Sequence, residues 1–370
     1  MDEPWQWAAF AAVLLATAVL VVRAHLRFWR RRLSMPVPYE HVEQVATADG
    51  LPIELRRLPA PGGRASGPPV LLVHGIAVNH RNNDPNPERS LARHLQAAGR
   101  DVWLLTLRSA LGSPSVFGDQ RRTFRAMCAH DLPAAVRHVL AQTDSAQLDV
   151  CGFSMGGMVL FAALERTLPQ SCVRRVVILG SPGRVRPLGA LKFARWLPRR
   201  LTPTLPIRAL SGSFAFAFGA LPTLFKRFFY NPDNVSPQVA QSCMIDLFED
   251  LPGPLGADFV RWAYNGGQLD VGGRPVLAQM GALRIPVHFF AGSADLIAPP
   301  DTVRAAFDAW GSQSPELEKE FTLLCTRHGA RGDYGHGCLA FGRHAVEEVY
   351  EPVRRFLAVE EEAVHQAVAS

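Results

Sequence analysis

Residues 152–157 read Gly152-Phe153-Ser154-Met155-Gly156-Gly157, a Gly-x-Ser-x-Gly pattern with one further glycine. The apolar run 148–151 precedes this stretch, and a helical pattern follows it from Met158 to about Arg166. A short apolar run bounded by turn residues is typical of a buried strand. The serine is therefore expected on the tight turn between a strand and a helix.

The glycines around Ser154 fit the geometry of such a turn. Gly152 and Gly156 lie two residues before and after the serine, where larger side chains would collide with the strained backbone. The turn raises the hydroxyl above the sheet and places it at a helix N-terminus, whose free N–H groups favour developing negative charge. The strand–turn–helix context predicts a nucleophile elbow, although the bare pentapeptide fits a glycine-rich turn with a capping serine equally well.

Strand and helix patterns alternate along most of the chain. Strands are predicted at 41–45, 53–56, 70–73, 102–107, 148–151, 175–179, 287–290 and 321–325, and helices at 87–98, 123–141, 302–310 and 345–357. Asp49-Gly50, between the first two strands, is a hairpin signal. The repeated strand–helix units predict an α/β fold with a mainly parallel central sheet and helices on both faces. In such sheets, sites form at the carboxyl ends of the strands.

Two more chemically suggestive residues follow predicted strands. Asp295 comes a few residues after 287–290, and His336 lies between glycines in a loop after the last strand. The chain order Ser154, Asp295, His336 is that of a nucleophile–acid–base triad. A histidine takes the serine proton near its ordinary pKa, and the aspartate fixes its tautomer and stabilises the imidazolium.

Other candidates exist for the acid and the base. Asp333 is close in sequence to His336, but a separation of three residues within one loop suits a turn cap better than a triad partner. Asp295 lies at the end of a strand, and this position favours Asp295 as the acid. His328 and His344 are the alternative histidines, and neither has glycine on both sides.

The loop after the strand 70–73 supplies the second half of a catalytic site. It reads His74-Gly75-Ile76-Ala77. An oxyanion hole on this kind of sheet uses the amide after the nucleophile, here Met155, and one from this loop. Gly75 lets the loop turn so that the amide of Ile76 or Ala77 faces the site, while His74 is expected to bond within the loop.

With these motifs, the chain resembles the α/β-hydrolase superfamily over about 37–360. The loop that begins with His74-Gly75 and the strand Asp101-Val-Trp-Leu-Leu-Thr-Leu-Arg108 are similar to the corresponding segments of acid lipases. Asp333-Tyr-Gly-His-Gly337 and Val349-Tyr-Glu-Pro-Val353 also resemble the C-terminal end of polyhydroxyalkanoate synthases. Those synthases use a cysteine nucleophile, and Ser154 in its place favours hydrolysis or transfer through an acyl-serine.

The segment 4–22 contains no charged residue and is just long enough to cross a hydrocarbon core as a helix, with Trp5 and Trp7 at one interface and Trp29 near the other. A cleavable signal peptide would have positive charge before the apolar run and small residues after it. Acidic residues precede this run instead. The arginines that follow it are Arg23, Arg27, Arg30, Arg31 and Arg32. The positive-inside rule therefore predicts a single-pass anchor with a cytoplasmic catalytic domain.

The predicted organisation is an anchor with its basic flank at 1–33, a first part of the hydrolase core at 34–181, a cap at 182–281 and a second part of the core at 282–370. The cap is expected to be mostly helical. It is rich in aromatic residues, and from Arg166 to Pro232 the chain has no Asp or Glu. An aromatic cap would line an apolar acyl pocket, and its basic half suits anionic headgroups.

Composition limits the remaining function classes. The chain has 370 residues, a formal net charge of +6 and six cysteines without metal-ligand spacing. Unpaired thiols agree with a reducing compartment. Basic residues near an anchor favour a membrane surface over nucleic acid, for which no motif is present. No metal or cofactor is expected, and the oligomeric state stays open.

The sequence thus predicts a membrane-anchored serine hydrolase of hydrophobic carboxylic esters. Two alternatives remain. An acyltransferase would use the same triad with an alcohol or thiol in place of water, and a non-catalytic protein of this fold would serve as a scaffold at the membrane.

Overall fold

The computed structural model describes residues 4–112, 116–117, 119–164, 166–187, 196–220 and 223–358. Parts of all four predicted segments therefore lie outside the described residues: 1–3 of the anchor, 113–115, 118 and 165 of the first part of the core, 188–195 and 221–222 of the cap, and 359–370 of the second part of the core. The centre of the described chain is one eight-stranded sheet. Its strands are β1 His41–Ala46, β2 Pro52–Leu58, β3 Val70–Val73, β4 Val102–Thr106, β5 Leu148–Phe153, β6 Val173–Leu179, β7 Val287–Gly292 and β8 Lys319–Leu324.

The order of the strands across the sheet is β1-β2-β4-β3-β5-β6-β7-β8. The β1–β2 hairpin is antiparallel, β2 pairs antiparallel with β4, and the remaining neighbours are parallel. The register sets Val73 beside Gly152 and Leu179 beside Phe290. The carboxyl ends of β3, β5, β6 and β7 therefore meet at one edge, as the sequence pattern predicts.

Helices of the core cover both faces of the sheet, and other helices form the N-terminal segment and the insertion between β6 and β7. They are α1 Pro4–Leu33, α2 Leu91–Ala97, α3 Phe124–Ala126, α4 Leu132–Thr143, α5 Met155–Ala163, α6 Ile207–Phe214, α7 Thr223–Phe229, α8 Pro237–Asp246, α9 Gly253–Tyr264, α10 Pro300–Ala309 and α11 Cys338–Phe341. A wider π-helical turn, Met127–Asp131, joins α3 to α4, and a second, Val346–Tyr350, begins the closing helix.

The two faces of the sheet bury separate apolar clusters, because side chains alternate along a strand. In β3, Leu71 and Val73 belong to the cluster that includes α4, α5 and α10. Val70 and Leu72 belong to the cluster that includes α2 and the closing helix. Both sides of the sheet are covered, which explains why β3 reads as an unbroken apolar run. The predicted α/β architecture is confirmed.

Several predicted helix boundaries differ from the structure: the helix predicted from Met158 to about Arg166 runs from Met155 to Ala163, and the largest shift is at the start of α2. The expected helix 87–98 begins only at Leu91, because the Ser90 hydroxyl accepts a hydrogen bond from the Arg93 amide at 2.9 Å and caps the first turn.

Helices α6 to α9 lie in the insertion between β6 and β7, so the described part of the predicted cap is mostly helical. This insertion contacts the core through an isolated bridge between Val78 and Phe248 and through the loop that carries His336. Those contacts bring it to the carboxyl edge of the sheet, where the candidate residues lie.

Helix α1 is long and apolar enough to span a membrane in its first part, and its apolar side chains there are exposed. Its last part packs on the cap. The rings of Trp29 and Phe216 stack with centroids 4.9 Å apart, and His25 Nε2 lies 3.0 Å from the Ser213 carbonyl oxygen. Just beyond the helix, the Ser34 hydroxyl donates to Asp246 of α8 at 2.7 Å. The basic flank and the cap are therefore one packed unit.

Candidate active site

Ser154 stands on a strained turn between β5 and α5. Its φ is 52° and its ψ is −118°, a backbone conformation that a residue with a side chain rarely adopts. The Ser154 amide donates to the Leu179 carbonyl at 2.8 Å, which fixes the turn to the end of β6. Strain held in this way by its surroundings is typical of a functional position.

The flanking glycines are required by close packing. A Cβ on Gly152 would lie 2.7 Å from the backbone of Gly157, and one on Gly156 would overlap the Val73 carbonyl of β3. Neither atom can move without disturbing a strand or helix, so a side chain at either position would displace the turn. The physical reason for the Gly-x-Ser-x-Gly pattern is thus present in this chain.

Asp295 and His336 meet after β7 and β8. His336 Nδ1 lies 2.7 Å from Asp295 Oδ2, and both side chains are buried. The amides of Ile297 and Ala298 donate to Asp295 Oδ1 at 2.8 Å each. These donors hold the carboxylate in one orientation. Of the two aspartates considered from the sequence, Asp295 is the one that contacts His336.

Asp333 caps the loop instead. One of its oxygens accepts hydrogen bonds from the Thr326 amide at 3.0 Å and from the Ser293 hydroxyl at 3.2 Å. The Thr326 amide in particular lowers the pKa of the Asp333 carboxyl below its usual range. Asp333 therefore shapes the loop that carries His336, and within the described part of the chain it forms no hydrogen bond to that imidazole.

The histidine lies beside the elbow. The rings of Phe153 and His336 pack edge to face with centroids 5.0 Å apart. A Cβ built on Gly180, the residue after β6, would lie 3.4 Å from His336 Cε1. Among the described residues, no hydrogen bond joins the Ser154 hydroxyl to His336. Bonds of this kind commonly tighten only when substrate is bound.

The loop 74–77 runs alongside the nucleophile. A Cβ on Gly75 would lie 3.2 Å from Ser154 Cβ, and the Gly75 amide is already used by Asn82 Oδ1 at 3.1 Å. Ala77 has a φ of 53°, a backbone conformation that a residue with a side chain rarely adopts. Met155 begins α5, and the first amides of a helix have no carbonyl one turn earlier to bind. The amides of Met155 and of Ile76 or Ala77 stay the predicted oxyanion donors.

His74 holds the loop in shape. Its Nε2 accepts a hydrogen bond from the Leu107 amide at 3.0 Å, so Nδ1 donates to the Gly75 carbonyl at 2.7 Å. Burial lowers the pKa of the imidazole to about 4, which keeps it neutral at pH 7. As expected from the sequence, His74 bonds within the loop.

The sequence did not predict that the cap forms hydrogen bonds with the loop that carries His336, which is called the histidine loop below. The Phe229 carbonyl accepts from the Gly337 amide at 2.8 Å, and Asn231 Nδ2 donates to the Asp333 carbonyl at 2.7 Å. Asn234 Oδ1 accepts from the Arg343 amide at 3.1 Å. The turn-like stretch Asn231-Pro232-Asp233-Asn234 is the only local signal, and it does not indicate a partner a hundred residues away.

Within the described ranges, no cluster of three or more His, Cys, Asp or Glu side chains suits a metal ion. The residues that meet here supply a hydroxyl, an imidazole and a carboxylate, which are the groups that acyl transfer through a serine uses.

Comparison with known proteins gives the family of this fold. The model of the alpha/beta hydrolase fold family matches residues 68–330. Lipase member M of Mus musculus is 30% identical over 195 residues, which cover 49% of this chain and 45% of the mouse protein. Human lipase member M is 29% identical over 195 residues, with the same coverage. The chain thus spans about half the length of these curated relatives.

Solved structures share the fold at low identity. An esterase from Exiguobacterium antarcticum superposes with a TM-score of 0.54 at 14% identity, covering 85% of this chain and 98% of the esterase. A thermophilic esterase from Thermogutta terrifontis superposes with a TM-score of 0.53 at 19% identity, covering 88% and 98%.

Proposed function

The chain belongs to the alpha/beta hydrolase fold family and is lipase/esterase-like, and from this premise we propose that it is a membrane-anchored serine hydrolase that cleaves carboxylic esters of hydrophobic acyl groups. The observation that carries the proposal is the strained Ser154 beside the Asp295–His336 hydrogen bond and the loop 74–77. Each of these elements follows a different strand, and all of them meet at one edge of the sheet.

In the proposed reaction, His336 Nε2 takes the Ser154 proton as Oγ attacks the ester carbonyl. The amides of Met155 and of Ile76 or Ala77 stabilise the oxyanion that forms. The tetrahedral intermediate collapses as His336 protonates the departing alcohol, which leaves an acyl-serine. Water then attacks this ester with His336 as base, and the released acid restores the Ser154 hydroxyl. Asp295 keeps the Nδ1 proton in place and stabilises the imidazolium throughout.

The cap supplies an apolar wall beside this site. The rings of Phe229 and Phe248 pack edge to face with centroids 5.9 Å apart. Phe229 is bonded to the histidine loop through its carbonyl, and Phe248 bridges to Val78 beside the oxyanion loop. The pair therefore spans the two sides of the site, and we assign it to the acyl chain.

Labelling with a fluorophosphonate probe tests the nucleophile. We expect the folded wild type to be labelled and Ser154→Ala to be unlabelled. A folded wild type that does not react with the probe would favour the scaffold alternative.

A series of nitrophenyl esters from acetate to palmitate tests the acyl class. We expect kcat/KM to rise with chain length and Phe229→Ala to lower it about tenfold for the long esters alone. Phe216→Ala is the matched control, because this aromatic residue of the cap packs on α1. An activity confined to acetate would contradict the hydrophobic substrate.

The membrane anchor is proposed from the uncharged run 4–22 and from the exposure of its side chains. We expect the full chain to stay in the pellet after alkaline carbonate extraction and the catalytic domain to be digested by protease only when the cytoplasmic side is open. A soluble, N-terminally shortened chain would identify α1 as a signal sequence instead.

The basic cap is proposed to rest on the same bilayer. A chain that lacks residues 1–22 keeps the flank packed on the cap, and we expect it to bind anionic liposomes at low salt and to lose them at high salt. Absence of binding at every salt concentration would exclude a lipid-facing cap.

A further inference from the structure

A cavity of about 400 Å³ lies between the basic end of α1 and the cap, and Ser154 is not among the residues that line it. Four arginines line it, together with a single carboxylate, that of Asp250. The arginines are Arg23, Arg27 and Arg30 of α1 and Arg208 of α6. The lining thus carries a strong excess of positive charge.

Helix geometry brings the first three arginines together. Arg23, Arg27 and Arg30 are four and three residues apart, so they project from one face of α1. Arg208 lines the cavity from α6. Its amide donates to Asp250 Oδ1 at 3.1 Å, and its guanidinium lies 3.2 Å from a Glu249 oxygen. Among the described residues, no carboxylate forms an ion pair with the guanidinium groups of the three α1 arginines, although Glu249 lies near enough for the charge of Arg30 to act on it.

The cavity also has an apolar floor. Leu26 and Ile245 line it, and a Cβ on Gly212 would lie 3.0 Å from Leu26 Cδ2, so α1 and α6 approach closely there. The stacking of Trp29 on Phe216 fixes the same two segments against each other. The arginines are therefore presented by a packed junction.

Like charges at this spacing repel each other, and a bound anion relieves the repulsion. Guanidinium groups bind phosphate through paired N–H donors. Arg23 directly follows the uncharged run, whose 19 residues rise roughly 28 Å in a helix, close to the thickness of a hydrocarbon core. A spanning α1 thus sets the cavity at the level of the lipid phosphates.

We propose that this cavity is a binding site for the phosphate of an anionic phospholipid headgroup, with the apolar floor beside the lipid's glycerol backbone. The proposal rests on the membrane anchoring proposed above. A lipid bound at this junction fixes the height of the cap above the bilayer.

The test uses the full chain, purified in an uncharged detergent and titrated with phosphatidylglycerol. Native mass spectrometry counts the lipids that each chain retains. Arg27→Gln/Arg30→Gln removes two charges from the cavity, and Arg31→Gln/Arg32→Gln removes two from the same helix outside it. We expect the wild type and the second variant to retain one lipid and the first to bind at least tenfold more weakly. Equal losses in both variants, or none in either, would overturn the site.

Two controls separate the possible failures. Fluorophosphonate labelling of Ser154 in every variant reports folding and the catalytic proposal independently of lipid. Sodium phosphate, added at the lipid concentration, distinguishes the source of the anion. Displacement of phosphatidylglycerol by inorganic phosphate would assign the cavity to free phosphate and overturn the lipid proposal, whereas retention of the lipid supports it.

Discussion

The Nδ1 atom of His336 lies 2.7 Å from Oδ2 of Asp295, although 41 residues separate the two in sequence. Asp333 is only three residues from the histidine, yet it bonds to Thr326 and Ser293. Position at a strand end therefore decides this pairing, and closeness in sequence does not.

The pairing predicts unequal effects for two aspartates. Asp295→Asn reverses the hydrogen bond that fixes the His336 tautomer, so we expect kcat to fall about 10³–10⁴-fold. Asp333→Asn keeps the size of a loop cap, and we expect a loss below about tenfold. Steady-state ester hydrolysis by the two folded variants measures the difference, and a larger loss in Asp333→Asn would reverse the assignment.

The backbone strain at Ser154 predicts a trade of activity for stability. Ser154→Gly removes the Cβ that makes a φ of 52° unfavourable, whereas Ser154→Ala keeps it. Both variants lose the nucleophile. We expect the glycine variant to be more stable than the alanine variant by about 1 kcal/mol in urea unfolding. Equal midpoints and slopes would mean that the turn stores no strain.

Close packing at Gly156 predicts a large effect of one methyl group. Gly156→Ala would push a Cβ against the Val73 carbonyl, and we expect a loss of about 1–3 kcal/mol together with displacement of Ser154. Gly219→Ala in the cap meets no atom within 4 Å and is expected to change stability by less than about 0.5 kcal/mol. Urea midpoints compare the two, and similar costs would contradict the packing argument.

The burial of His288 predicts that the folded protein becomes less stable in acid. Burial lowers the pKa of His288 to about 4, and the Glu320 carboxylate at 3.3 Å is more than half exposed, so water weakens its pull. Between about pH 6.5 and 4 the unfolded chain binds this proton more readily, and the free energy of unfolding falls as the pH drops. We expect His288→Gln to reduce the fall in the free energy of unfolding over this pH range by on the order of 1–3 kcal/mol.

The exposed His41→Gln serves as the control for that measurement. Urea unfolding at several pH values gives the slope for each variant. An unchanged slope in His288→Gln, or an equal change in His41→Gln, would assign the acid sensitivity to other groups.

The sequence predicted those features whose causes are local. The apolar run of β3 and the glycines around Ser154 each follow from a short stretch, and the chain order of Ser154, Asp295 and His336 fits a fold in which strand ends meet. The contacts of Asn231 with the histidine loop and of Trp29 with Phe216 could not be predicted, because each joins segments more than a hundred residues apart through shape alone. The first residue of α2 could not be predicted either, because it depends on which of several polar residues caps the helix.

The six free cysteines have a practical consequence. Five are buried and Cys172 is partly buried, and burial raises the pKa of Cys128, Cys151, Cys243 and Cys338. Maleimides react with exposed thiolates, so these native thiols react slowly. A cysteine introduced on the exposed surface of the cap and another on the core would therefore accept a pair of fluorophores in the otherwise native chain. Energy transfer between them would follow any opening of the cap during turnover.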